Sequence, residues 1–240
     1  MVWQPGRDYC LKWLDQLNVR QYPISWVYLE QQSLLYIPMP KNASTQVLES
    51  LYALEHGVSF DSSSDALRWA GNVHFYYSHR FPAMPASRLL ELGAQRILVV
   101  VRDPIERLVS AYRNRVVDGK CLEQKRLRTG LLGLNMTPDL DTVLNNLSRY
   151  RLASPVLRQH TEPQQLYLKN LWPQVTDVYP IEQLGALHEQ LLGIAPTKEK
   201  VNASSKDEAS AAPSRAALLK ALDYCANDYC LLNEYYSPPS

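Results

Sequence analysis

With 240 residues the chain can bury a sizeable core, either as one large domain or as a domain with an appendage. Twenty-five Lys and Arg stand against 24 Asp and Glu, and the formal net charge of +1 excludes a global field for a nucleic acid polymer or an anionic membrane, so any basic site must be local. No apolar run approaches the roughly 20 residues that span a bilayer, and the opening MVWQPGRDYCLKW lacks a signal peptide's basic-then-apolar layout; no integral membrane segment and a cytoplasmic address are expected. Cys10, Cys121, Cys225 and Cys230 are scattered and not at metal-ligand spacing, which predicts reduced thiols and no metal site.

Residues 1–32 are rich in Trp, Tyr and Gln, and Trp13, Leu14 and Leu17 at helical spacing predict an N-terminal helical edge. Leu34–Ile37 reads as a short buried strand, ended by Pro38 and Pro40. Lys41, Asn42, Ala43, Ser44, Thr45 and Gln46 follow, and Val47, Leu48, Leu51 and Leu54 then recur at helical spacing. A strand, a tight loop with a lysine, and a helix place backbone N–H groups and the positive end of a helix dipole beside an ammonium, a site for phosphate or sulfate. Four N-x-S/T sequons occur, at Asn42, Asn135, Asn146 and Asn202; a glycan on Asn42 would fill this loop, a second reason to expect a cytoplasmic protein.

Residues 56–65 form a polar, Ser-rich connection, and NVHFYY at 72–77 reads as a second strand containing His74, with His79 just beyond it. A short helix over 82–93 ends at glycine, and RILVVV at 96–101 is the clearest strand, apolar enough to be buried on both faces as in a parallel sheet. Arg102 follows directly, with Asp103 placed as N-cap, Pro104 as the first helical residue and Glu106 at the third. Along that helix Ile105, Leu108, Val109, Tyr112 and Val116 share one face, and Arg107, Ser110 and Asn114 another.

Further on, 118–129 is a charged segment expected to be mobile, 139–150 a helix, 154–165 a turn-rich stretch around His160, 175–179 a late strand and 183–192 a helix. From Arg96 to Arg128 nine Lys or Arg face four Asp or Glu, and the basic stretch from Arg113 to Arg128 would suit an anionic acceptor. A polar flexible loop is expected over 198–214 and a C-terminal helix with a tail over 215–240. There is no internal repeat and no strong linker, so 1–240 is read as a single α/β domain. Its strand-to-helix junctions at Lys41 and Arg102 should lie along one sheet edge, where ligands bind.

PKNAST after one strand and VRDPIERLVSAY after another resemble the two nucleotide-binding signatures of the sulfotransferases that use 3′-phosphoadenosine-5′-phosphosulfate (PAPS), in particular the carbohydrate sulfotransferase branch, in a compact, bacterial-type form. The resemblance implies a P-loop-like three-layer fold with a central parallel sheet flanked by helices. It assigns the phosphosulfate to Lys41, Asn42, Ala43, Ser44, Thr45 and Gln46, and the 3′-phosphate to Arg102 and Ser110, with Arg107 on the same helical face. HTEPQ at 160–164 resembles a segment near the acceptor, marking His160 and Gln164. VNASSK at 201–206 resembles a nucleotide-closing loop, marking Asn202, Ser204, Ser205 and Lys206. GNVHFYYSHRF resembles the segment that carries a catalytic histidine, so His74 is the first choice of base, with His79 the alternative and an acceptor contact, and a carboxylate still open.

The implied reaction is metal-independent transfer of a sulfuryl group from PAPS, leaving PAP, to a hydroxyl on a saccharide, a lipid or a small metabolite, with Lys41 balancing charge on the leaving phosphate. Two alternatives stay open: a P-loop nucleotide kinase or NTPase, and a non-catalytic nucleotide- or glycan-binding protein of the same fold. The first needs G-x-x-x-x-G-K-[ST], and this loop has no glycine and has Asn42 where the Mg²⁺-binding hydroxyl belongs.

Overall fold

Four apolar segments are hydrogen-bonded into one sheet in the computed structural model, which describes residues 23–191, 193 and 212–239. After β1 (Pro23–Ile24), β2 (Val27–Leu29) runs antiparallel to β3 (Leu34–Ile37). Among the described residues β4 (Met84–Pro85) pairs only with β1; β5 (Arg96–Val101) lies parallel to β3, and β6 (Asp177–Pro180) parallel to β5, giving the order β2-β3-β5-β6. The fold is therefore mixed α/β, with a sheet that is parallel across three strands, closed by one antiparallel edge strand and flanked by helices. At its far edge Arg96 clamps Asp177 with two bonds of 3.2 and 2.8 Å, fixing the register of β5 against β6.

The described residues divide into two units, an α/β unit of residues 23–102 and 166–193 and a helical unit of residues 103–165 and 212–239. In the α/β unit all four residues of β3 and the last five of β5 are buried, as expected for strands covered on both faces. α1 (Ser44–His56) lays Val47, Leu48 and Leu51 into one apolar cluster with Tyr36, Leu98 and Val100. α2 (Val73–Arg80) adds Val73 and Tyr77 to the same cluster, and α3 (Ala86–Leu90) follows, with Gly93 just beyond it at φ +66°. Residues 181–191 form a run of short helical turns.

Two expectations fail in this unit. Residues 72–77 are not a strand but open α2: the Asn72 side chain caps the helix by accepting from the Phe75 amide at 3.0 Å, and Val73 and Tyr77, four apart, point inward. The aromatic run argued for a strand, but the cap and the four-residue apolar spacing decide the local fold. Nor is the edge over 1–32 wholly helical. Residues 1–22 lie outside the described residues, whereas 23–29 supply β1 and β2, with buried Val27 and Leu29 alternating around Tyr28 and a turn closed by Ser33 N–H to the Glu30 carbonyl at 3.0 Å.

The helical unit begins as read: Asp103 accepts from the Glu106 amide at 2.9 Å and Pro104 opens α4 (Pro104–Ala111). The chain then runs as a π-helix over Tyr112–Asp118. The stretch 118–129, expected to be mobile, instead leads into an ordered helix, α5 (Arg126–Leu131). The helix expected at 139–150 is two, α6 (Leu140–Asn145) and α7 (Leu147–Ala153), and the turn-rich 154–165 is also helical, α8 (Pro155–Thr161) with α9 (Gln164–Leu168) starting at its end. Ser154 and Pro155 act there as N-cap and first residue rather than as a turn. Ser214 caps α10 (Arg215–Leu231), and Leu108, Val109, Tyr150, Leu157 and Leu222 belong to the core of this unit. Among the described residues no helix is long and apolar enough to cross a membrane.

Candidate functional site

The loop between β3 and α1 carries the unusual backbone of the α/β unit. Lys41 and Ala43 both adopt left-handed conformations, with φ of 71° and 54°, on either side of Asn42. Each such residue costs about 1–2 kcal/mol when it is not glycine, and left-handed residues alternating with ordinary ones turn backbone amides into an anion-binding concavity. Asn42 holds this shape. It is fully buried, and its Nδ2 donates to the Val100 carbonyl of β5 at 2.8 Å, while its backbone N–H closes a turn on Met39 at 3.3 Å. Arg102, at the end of β5, donates from its guanidinium to the Lys41 carbonyl at 3.2 Å. The loop is thus tied to β5 by two side-chain bonds.

The end of α1 that follows is open. Ala43 offers no side-chain cap and the first turn holds no acidic residue. In α4, by contrast, the Asp103 carboxylate caps the helix and Glu106 sits in the first turn, so the positive end of that dipole is already compensated. Of these two helix starts, only α1 keeps its field for a ligand.

Across the first turn of α1 stands His74. Its Nε2 lies 2.9 Å from Thr45 Oγ1, linking α2 to the loop. The link is braced further along both helices: Arg80 pairs with Glu55 at 2.6 Å, and Tyr76 Oη meets His56 Nε2 at 3.1 Å. Burial, with Tyr76 and Glu55 nearby, pushes the neighbouring Tyr52 phenol above its ordinary value. Sequence reading missed Glu55, His56, Tyr76 and Arg80. Their signal was the four-residue spacing of Val73 to Tyr77 and of Tyr76 to Arg80, hidden by reading the segment as a strand.

Lys41, Asn42, Ala43, Ser44, Thr45, Gln46, His74 and Arg102 therefore gather in one unit. His79 lies on the exposed side of α2 against Trp69, ring centroids 5.2 Å apart, and does not share the Thr45 contact. The other expected residues belong to the helical unit or are not described. Ser110 is buried on α4, and Arg107, 2 % exposed, donates to the Glu162 carbonyl at 2.6 Å. His160 has both ring nitrogens engaged, Nδ1 on the Val156 carbonyl at 2.9 Å and Nε2 on the Arg115 guanidinium at 2.7 Å, and so links α8 to the π-helix. Gln164 is buried, and its amide, with that of Gln165, donates to the Asp228 carboxylate at 2.9 and 2.8 Å. Burial raises the Asp228 pKa, against the opposing pull of those amides and of Arg107. Asn202, Ser204, Ser205 and Lys206 lie outside the described residues. Among the described residues no cluster of His, Cys, Asp and Glu could hold a metal ion.

A model of the Sulfotransferase family matches residues 26–207, about three quarters of the chain. No curated protein and no solved structure matches.

Proposed function

The chain belongs to the sulfotransferase family, and from that premise we propose that it moves a sulfuryl group from PAPS to a hydroxyl of a saccharide or glycoconjugate, with His74 as base. The observation that carries this reading is the 2.9 Å contact between Thr45 and His74, which puts an imidazole beside an uncapped, lysine-bearing helix start. That start suits an anion: strained, pinned backbone, no acidic residue in the first turn, and an ammonium on the preceding residues. When bound there, PAPS supplies the sulfuryl group and departs as PAP.

The chain's own groups divide the work. Lys41 and the first turn of α1 bind the phosphosulfate end and compensate the negative charge that grows on the leaving phosphate oxygen. Arg102, held at the strand end by its bond to the Lys41 carbonyl, binds the 3′-phosphate, a task suited to a forked guanidinium. His74 Nε2 takes the proton of the acceptor hydroxyl as that oxygen bonds to sulfur, and exchanges Thr45 for the acceptor. Asn42 acts through the loop's shape. Its complete burial also supports manufacture where no oligosaccharide is attached at its sequon, the cytoplasmic reading.

A P-loop NTPase is disfavoured on the same residues, because the position that should offer a hydroxyl to Mg²⁺ is Asn42, turned inward to Val100. The test is sulfate transfer from radiolabelled PAPS to a panel of oligosaccharides, lipids and small alcohols with EDTA present. Turnover that His74→Ala and Lys41→Ala abolish supports the proposal; PAP binding with no turnover on any acceptor overturns it in favour of a binding protein.

A further inference from the structure

α5 is built to hold an apolar ridge outward. Thr129 is fully buried on its inner side, and its Oγ1 lies 3.1 Å from the Leu122 carbonyl and 3.0 Å from that of Lys125. At the other end Arg149 donates to the Leu132 carbonyl at 2.6 Å, and the Leu134 amide returns to the Thr129 carbonyl at 3.1 Å. With the helix pinned this way, rotation of about 100° per residue sends Leu127 and Leu131 to the face opposite Thr129. They are 83 % and 85 % exposed. Arg126 and Arg128 lie about 100° to either side of Leu127, so the ridge is flanked by cations. Lys125 adds a third, and no carboxylate occurs anywhere in residues 124–138.

We propose that α5 is a peripheral docking surface for an anionic phospholipid bilayer, with Leu127 and Leu131 entering the headgroup boundary and Lys125, Arg126 and Arg128 meeting phosphates. The two leucines stand on an anchored helix whose outer face, with Lys125, Arg126, Arg128 and Gly130, lines a shallow depression wide open to solvent, a surface that can sink into a soft apolar layer. The flanking charge, all of one sign, complements lipid phosphate. Neither observation depends on the catalytic proposal.

The experiment is flotation of the whole protein with vesicles of phosphatidylcholine containing phosphatidylserine, and with phosphatidylcholine alone, at low and high salt. The protein should float with the anionic vesicles only, and salt should release it. Leu127→Ser with Leu131→Ser should weaken binding about tenfold or more, and each of Arg126→Gln and Arg128→Gln about fivefold. Because these side chains are exposed, the variants should melt as wild type does. Failure to float with anionic vesicles overturns the proposal. So does flotation indifferent to the leucine pair, which marks a simple polyanion contact, and so does a dimer on gel filtration that the leucine variant dissolves, which marks a second copy as the occupant.

Discussion

Asn42→Ala isolates the pin from the chemistry. The substitution removes the 2.8 Å bond from Nδ2 to the Val100 carbonyl in a fully buried position and frees nothing that could replace it. Leaving a buried acceptor short of its partner costs about 1–3 kcal/mol. The small cavity adds to this, and the left-handed conformations of Lys41 and Ala43 lose the contact that holds them. For a protein of this size about 1–3 kcal/mol lowers Tm by roughly 2–12 °C. The second consequence is functional, because a loop free to relax Lys41 and Ala43 toward ordinary backbone no longer presents its amides together. Thermal melts with and without PAP, paired with calorimetric titration of PAP, measure both. The expected result is a lower Tm and a weaker PAP affinity, by about five- to 150-fold if the full pin energy passes into binding. A variant that melts with wild type and binds PAP equally would refute the reasoning, since the loop's shape would then not depend on Asn42.

Other changes reach the site differently. His74→Ala should lower kcat by about 10² to 10⁴ with PAP affinity unchanged, and a steady-state assay beside a PAP titration checks the separation. Thr45→Val keeps the ring but removes its tether, so kcat should fall only about two- to tenfold, the worth of one hydrogen bond; a loss as large as that of His74→Ala would assign the chemistry to Thr45. Lys41→Ala should lower kcat by about 10² to 10³, with weaker PAP binding as well. For Asp177, burial acts to raise the carboxyl pKa, but the bonds from Arg96 and Thr176 outweigh it and hold the carboxyl below its usual value. A depressed folded pKa means stability that is present above the ordinary carboxylate value near about pH 4 and lost as pH falls through the folded one. Asp177→Asn should therefore lower Tm at neutral pH, with the gap to wild type closing in acid; a gap independent of pH would contradict the ion pair.

How much of this was legible in the chain depends on whether the deciding interaction was local. β3 and β5 were readable because four or five consecutive apolar residues bounded by proline or charge leave few other solutions. The start of α4 was readable because Asp103, Pro104 and Glu106 satisfy the helix end among themselves. The fold of 72–80 was not. Its residues have strand propensity, and the helix is settled by the Asn72 cap together with Tyr77 entering a core made of distant segments. The contacts of Asn42, Arg107 and His160 were hidden for the same reason. A sequence can mark a polar residue beside an anion loop, but whether it faces the ligand or the interior depends on carbonyls such as Val100, Glu162 and Val156, and for His160 also on the Arg115 guanidinium.

The missing glycines of the loop acquire a physical meaning from these contacts. A glycine at position 41 or 43 would enter the left-handed region without strain and would need no restraint, at the price of a loop that is floppy when empty. Lys41 and Ala43 store strain instead, and the fold must hold them from outside. Asn42, bonded to Val100, and Arg102, bonded to the Lys41 carbonyl, are two such restraints, and both engage β5 or the residue that ends it. The loop's shape is therefore set by the neighbouring parallel strand before any ligand arrives. Lys41→Gly, with its ammonium gone but its backbone relaxed, should accordingly lose anion affinity while raising or preserving Tm, the opposite pairing from Asn42→Ala, where stability and affinity fall together.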